Sequence, residues 1–339
     1  MKFAIVSTHG VHKAQIRLNC QEGDCTSFLS WVDVLNGFHF NYDKLREEDP
    51  SYLKDFDLVM MSGHLNYITD IIKIADMLKD SGAVSMFYPE GSAQLYDNSI
   101  RGFHKEYYHA WNACDILSIV EEDKVEYYKR FVTPETLVKF IHVPMTEAMS
   151  SGRLFVPRLR KKMGAVVYGD NNPNHPLIAA AAANAVGLQV FAVEFGGDDA
   201  SRDALNAAGV EHGRWHGKLS QAAFMRLLGE SIVHFYPTEW IGTSRQVISC
   251  AAVGTPCIGS EHSHTQMRLF PELATWIYDV ERMEELARKL IQNEKFYERI
   301  AAQALAASEF YNVENTTRRL VTAYERAKSV KAARRVNVA

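Results

Sequence analysis

The residues best placed to do chemistry in this chain lie in the run Glu239-Trp-Ile-Gly242-Thr243-Ser244-Arg245, just ahead of an apolar helical stretch ending near Val253. A loop that runs into a helix presents backbone N–H groups without intrahelical partners, and the helix dipole adds partial positive charge there. Thr243 and Ser244 add hydroxyl donors and Arg245 a planar cationic fork, a set that can hold a phosphate. The plainer role for Thr243 and Ser244 is an N-cap, worth about 1 kcal/mol. A second polar run, Tyr168-Gly-Asp-Asn-Asn-Pro-Asn-His175, offers Asn171, Asn172 and His175, with Gly169 at the turn, as uncharged partners for phosphate or sugar oxygens. In the first half, polar residues follow apolar runs: His9-Gly10, His64, and Glu90 with Ser92. A carboxyl group such as Glu90 can serve as a base when burial tunes it upward. The plainer roles here are a turn residue capping the next helix for Glu90, and an ordinary loop histidine for His64. His262 and His264 lack further ligands, so no metal is expected. Gly196-Gly-Asp-Asp199 reads as a turn. No Walker loop, dinucleotide fingerprint or nucleophile elbow is present.

These residues need a scaffold, and the periodicity supplies one. Short β-branched runs alternate with helical patterns, the signature of a parallel α/β architecture. Expected strands in the first half are Lys2–Ser7, Asp57–Met61, Ala83–Phe87, Asp115–Ile119 and Val138–Val143. Ile68, Ile71, Ile72 and Ala75 share a helix face, with Gly82 at the expected C-terminal cap. The alternation restarts with Gly164–Tyr168, Leu188–Glu194, Ile232–Tyr236, Pro256–Gly259 and Thr275–Tyr278. Helices are expected at Pro176–Val186, Ser220–Leu228, Ser244–Val253 and around Met283–Ile291, with a last one carrying Thr317, Leu320, Val321 and Tyr324. Tyr107, Tyr108, Trp111, Tyr127 and Tyr128 are spaced for packing between helices. Between the halves, Ser150–Gly164 reads as a linker, a solvated connection or a basic edge, and the tail from Lys328 is expected to fray. The fold class is therefore α/β, two Rossmann-like domains facing across a cleft, with ligands expected beyond the strand carboxyl ends. The expected boundaries are 1–155, 163–315, and 316–339 for a helix crossing back to the first domain with its tail.

The bulk numbers agree with a globular protein: 339 residues, 47% hydrophobic and 23% charged. A net charge of -4 argues against a global pull toward nucleic acid or anionic lipid, though not against a local basic face. The longest apolar stretch, Leu177–Val193, is interrupted by Asn184, Gly187 and Gln189, so no transmembrane span is expected. The first residues read as a strand rather than a signal peptide. Cys20, Cys25, Cys114, Cys250 and Cys257 lack paired-ligand spacing and are expected as reduced thiols in a cytoplasmic protein.

The run Phe235–Ser263, FYPTEWIGTSRQVISCAAVGTPCIGSEHS, resembles the donor-binding signature of retaining GT-B glycosyltransferases, family 4 in particular. Glu239-Trp-Ile-Gly242 stands for the family's Glu-Gly-Phe-Gly, and Ser249-Cys-Ala-Ala-Val-Gly254-Thr255-Pro256 for its Glu-Ala-Met-Ala-Cys-Gly-Thr-Pro. The segments 209–231 and 279–325 are similar to the family's approach to the base and to its closing helices. The resemblance implies a nucleotide-sugar donor, UDP-sugar favoured, bound as substrate, with no cofactor, metal-independent transfer to a hydroxyl, and retention favoured. It places Glu239, Gly242, Thr243, Ser244, Arg245, Ser249, Gly169, Asn171, Asn172, His175 and Gly10 on the donor. It puts Glu90 and His64 at the reacting centre, Glu90 as the base if transfer inverts and both holding the sugar or acceptor if it retains, and His9 and Ser92 on the acceptor side. Two departures stand out. Ser249 occupies the second glutamate's place, two residues farther from Glu239 than in the family. The Arg and Lys that follow this domain's first strand in the family have no counterpart.

The acceptor stays open: a glycan, a lipid-linked sugar, a small molecule or modified DNA. A phage-type DNA glycosyltransferase would need a basic rim, for which Arg153, Arg158, Arg160, Lys161 and Lys162 are candidates. A GT-B sugar-nucleotide epimerase and a non-catalytic solute-binding module are also compatible with two Rossmann-like halves.

Overall fold

The computed structural model describes residues 1–8, 12–15, 29–63, 65–89, 104–145, 152–168, 174–193, 200–209, 214–216, 219–239 and 243–338. The chain divides into two compact units. One holds the described residues up to Met145 together with those from Val313, and the other holds the described residues between them.

The first unit is built on a six-stranded parallel sheet in the order β2-β1-β3-β4-β5-β6. Its strands are β1 (Phe3–Ser7), β2 (Phe38–Asn41), β3 (Leu58–Gly63), β4 (Val84–Pro89), β5 (Ile116–Ile119) and β6 (Leu137–Phe140). β1, β3, β4 and β5 are buried along their whole length, because a parallel sheet is covered on both faces. That is why they stand out in the sequence as predominantly apolar runs. β2, with the sequence Phe-His-Phe-Asn, carries no such run; its His39 is buried and hydrogen-bonded through Nε2 to Ser7 Oγ at 2.7 Å. The Ile68–Lys79 helix buries Ile68, Ile71, Ile74, Ala75 and Leu78, and its cap is Asp80, not the expected Gly82. Tyr107, Trp111 and Tyr128 are buried in this core, whereas Tyr108 and Tyr127 are exposed and pack against the exposed Phe131.

The last helix, Val313–Val338, belongs to this unit. Leu320, Ala323, Tyr324 and Ala327 join its core, while Val321 turns outward. The expected fraying from Lys328 is not observed: the helix continues to Val338 and Lys331 is buried. Its ammonium donates to Leu78 O at 2.9 Å, Ala83 O at 2.6 Å and Asp115 Oδ2 at 2.9 Å, so all three donors are satisfied. Asp115 in turn accepts from Ser85 N and Ser85 Oγ. A buried charge held this way anchors a segment that composition alone marks as loose.

The second unit carries a six-stranded parallel sheet in the order β12-β11-β10-β7-β8-β9. Its strands are β7 (Lys162–Tyr168), β8 (Gln189–Val193), β9 (Arg214–Trp215), β10 (Ser231–Tyr236), β11 (Cys257–Ser260) and β12 (Ala274–Thr275). This is the strand order of dinucleotide-binding sheets, with the direction of winding reversing between β7 and β10.

The expected linker is part of this unit's packing. Lys161 is largely buried, and its Nζ donates to Thr255 Oγ1 at 2.7 Å, Gly229 O at 2.8 Å and Val253 O at 3.3 Å. Two of these acceptors lie at the carboxyl ends of the Gln221–Glu230 and Arg245–Val253 helices, where a cation complements the dipole. Burial pushes Lys161 down to about 7. Arg158 donates to Ile291 O at 2.6 Å and lies over the Tyr297 ring, and Lys162 pairs with Glu230 at 2.7 Å.

Gly254 ends the Arg245–Val253 helix with φ +67°, and a Cβ there would stand 2.4 Å from the Phe155 ring. Thr255 then fixes the turn by donating to Leu228 O at 2.7 Å. Gly254→Ala is expected to lower the second unit's stability by about 2–4 kcal/mol, from left-handed strain plus overpacking. Urea unfolding measures this, and a loss below about 0.5 kcal/mol would contradict the packing described. Among the described residues no helix is long and apolar enough to cross a membrane.

Candidate functional site

In an open parallel sheet the ligand crevice lies beyond the carboxyl ends of the strands, where the winding reverses. In the second unit that point is between β7 and β10. The chain leaves β10 through Pro237 and a buried Thr238 to an exposed Glu239, then re-enters the described region at Thr243 and the helix Arg245–Val253. Past β7 the described chain resumes at Asn174, which opens the helix Asn174–Ala185. Both helix N-termini therefore follow the two strands that flank the reversal.

The Arg245–Val253 helix starts where it does because Ser244 caps it. Ser244 is extended (φ −96°, ψ 118°), and its Oγ accepts from Val247 N at 3.5 Å. The hydroxyl donates to Gln246 Oε1 at 3.3 Å, and Ser244 N donates to Thr265 Oγ1 at 3.0 Å. At 2% exposure Ser244 is therefore a positioning residue whose hydroxyl is used within the unit. Thr243 and Arg245, on either side, are half-buried and line the helix start. Every side chain from Val247 to Val253 is buried, so the helix is held rigidly beneath its N-terminus.

Ser249 lies in the second turn of this helix with no exposed surface, and Gln221 Nε2 donates to its Oγ at 3.5 Å. The half-buried Gln221 begins the Gln221–Glu230 helix, whose N-cap is Ser220, with Oγ accepting from Ala223 N. Sequence reasoning singled out Ser249 and overlooked Gln221, which sits far from it in the chain and has no motif of its own. His175, the second residue of its helix, is 5% exposed.

Glu239 has a partner the sequence did not suggest. Tyr278 donates its phenol to Glu239 Oε1 at 3.0 Å, and the carboxylate holds the phenol above its ordinary pKa. Trp276 packs edge-on against Tyr278, with ring centroids 5.1 Å apart, and both rings are substantially exposed. These two follow β12, and Glu239 follows β10, so all three lie along the carboxyl edge of the same sheet. The expected strand Thr275–Tyr278 ends at Thr275, which frees Trp276 and Tyr278 from pairing to take this position.

In the first unit β1, β3 and β4 lie side by side and end at Ser7, Gly63 and Pro89. Gly63 allows β4 to approach: a Cβ there would stand 2.5 Å from the Phe87 ring. The residues read from the sequence at the ends of these strands, His9, Gly10, His64, Glu90 and Ser92, lie outside the described residues. So do Gly169, Asn171, Asn172 and Gly242. Of the basic residues considered for a nucleic-acid rim, Arg158, Lys161 and Lys162 are engaged within the second unit as described above.

No family model matches the chain, and no curated protein is found similar to it in sequence. Solved structures do resemble it. A sucrose-phosphate synthase from Thermosynechococcus elongatus superposes with a TM-score of 0.70 at 12% identity, covering 96% of this chain and 98% of that one. The Anabaena protein HepE, solved in complex with UDP, gives 0.66 at 11% identity over 95% of this chain and 99% of its own. A UDP-forming α,α-trehalose-phosphate synthase from Burkholderia xenovorans gives 0.64 at 12% identity, covering 84% and 76%. At this level of identity the likeness shows the fold: two Rossmann-like units of the GT-B class.

Proposed function

We propose that the protein is a glycosyltransferase that moves a sugar from a nucleotide-sugar donor, a UDP-sugar in first place, to an acceptor hydroxyl. The observation that carries the reading is the capped helix Arg245–Val253, which starts at the winding reversal of a sheet whose fold is shared with proteins solved with UDP or named for forming it. Its first-turn N–H groups and dipole favour a diphosphate, and the Arg245 guanidinium neutralises the charge that builds on the leaving nucleotide. Thr243 adds a hydroxyl, while Ser244 holds the turn in shape. Gln221, backed by Ser249, is positioned to bond a ribose hydroxyl, and Glu239, oriented by Tyr278, to accept from a sugar hydroxyl. His175, Gly169, Asn171, Asn172, Gly242 and Gly10 complete the donor set; Glu90 and His64 act at the reacting centre, with His9 and Ser92 toward the acceptor.

Retention at the anomeric carbon is the favoured course, on the likeness of Phe235–Ser263 to the family 4 signature. Transfer in this scheme needs neither cofactor nor metal, because helix and guanidinium supply the positive charge. The acceptor is a glycan, lipid or small molecule ahead of DNA, since two of the basic residues a DNA rim would need, Arg158 and Lys161, are occupied internally and Lys162 is paired with Glu230 at the surface.

A thermal-shift series with UDP-, GDP-, ADP- and TDP-sugars tests the donor. The preferred one, at a hundred times its dissociation constant, is expected to add about 2.7 kcal/mol to the stability of the unit that binds it. Stabilisation by none of the four would remove the donor assignment. With the donor in hand, the anomeric configuration of the product by NMR decides between retention and inversion.

A further inference from the structure

His234, Cys250 and Cys257 come from three elements of the second unit and meet in its interior. His234 lies on β10 directly opposite Cys257 on β11, so parallel pairing puts both side chains on one face of the sheet. Cys250 sits in the Arg245–Val253 helix. A ring nitrogen of His234 and the two sulfurs all lie within 4.8 Å of one another, and none of the three residues has exposed surface.

The imidazole keeps one nitrogen available for a ligand bond. His234 Nδ1 stands 2.9 Å from Val166 O, and a carbonyl can only accept, so Nδ1 carries the proton. Nε2 then holds the lone pair, and it is buried without a hydrogen-bond partner. A buried nitrogen acceptor left unpaired costs free energy that a bound cation would recover. A backbone carbonyl on the far nitrogen is also how metal-bound histidines are commonly oriented.

We propose that His234, Cys250 and Cys257 bind a thiophilic d10 metal ion, zinc(II) or copper(I), as a structural centre inside the second unit. Two thiolates and an imidazole form a soft donor set suited to these ions. Thiolates about 2.3 Å from an ion held trigonally by these three ligands are about 4.0 Å apart, so the observed spacing must close by no more than about 1 Å. Binding converts both thiols to thiolates and releases two protons to solvent. With zinc(II) the charge of the two thiolates is cancelled; with copper(I) one negative charge is left. The ion would tie the phosphate-facing helix to β10 and β11 from below. It takes no part in sugar transfer, and the proposal stands apart from the donor reading.

The reduced full chain is loaded anaerobically with zinc(II) or with copper(I), desalted and assayed by elemental analysis beside Cys250→Ala, Cys257→Val and His234→Phe variants. About one equivalent of one ion is expected to stay with the wild-type chain and to be lost from each variant, whose folding is checked by circular dichroism. The thiol count of the wild-type chain should fall by two on loading, and cobalt(II) should give thiolate charge-transfer absorption, readouts that do not depend on how the variants fold. Retention of one ion only names the metal. Retention of neither, equal retention by the variants, or a Cys250–Cys257 disulfide in the chain as purified would overturn the proposal.

Discussion

Arg245→Ala is expected to lower kcat for a UDP-sugar by about 10²–10³-fold while leaving the unfolding temperature within about 2 °C of wild type. Arg245 is the first residue of its helix and half-buried, whereas Val247–Val253 form the packed face, so truncation removes charge without opening the core. The effect should fall mainly on kcat, because negative charge on the departing nucleotide grows as the glycosidic bond breaks. Arg245→Lys should recover only part, since an ammonium cannot reproduce the bidentate fork. Steady-state kinetics with UDP release as the readout, alongside a melting curve, measures both. Unchanged turnover would remove the guanidinium from the mechanism.

The second large effect is on stability. Lys331→Met is expected to destabilise the first unit by about 3–5 kcal/mol, because it strands Asp115 as a buried carboxylate and leaves Leu78 O and Ala83 O without this donor. That should lower the unit's melting temperature on the order of 10 °C. Removing both charges, in Lys331→Met with Asp115→Leu, should recover part of the loss, since the apolar pair leaves no charge unpaired. A single-variant loss below about 1 kcal/mol would show that the terminal helix is not held by this contact.

Much of the scaffold was legible in the chain. β1, β3, β4, β5, β7, β8, β10 and β11 are fully or mostly buried apolar runs, and burial on both faces is what makes a parallel strand visible without a partner. β2 and β9 were not legible: four and two residues long, they hold their place by pairing with a longer neighbouring strand. Lys161, in the basic segment before β7, was misjudged for a related reason. Composition marks Lys161 as solvated, yet the ends of two helices and a threonine meet around its ammonium, an arrangement that exists only once the unit has packed. The tail was misjudged likewise, because a single lysine with three internal acceptors outweighs a run of weakly apolar residues.

At the candidate site the local elements were readable and the pairings were not. Ser244 as a helix cap, Gly254 as a left-handed helix end and the α/β alternation all follow from conformational preferences acting over a few residues, which the linear chain carries in full. The Glu239–Tyr278 and Ser249–Gln221 hydrogen bonds, and the meeting of His234 with Cys250 and Cys257, join groups from separate elements. Only sheet order and register set those distances. Hydrogen bonding and metal coordination both fail beyond a few ångströms, so the tertiary structure decides which of the eligible side chains meet.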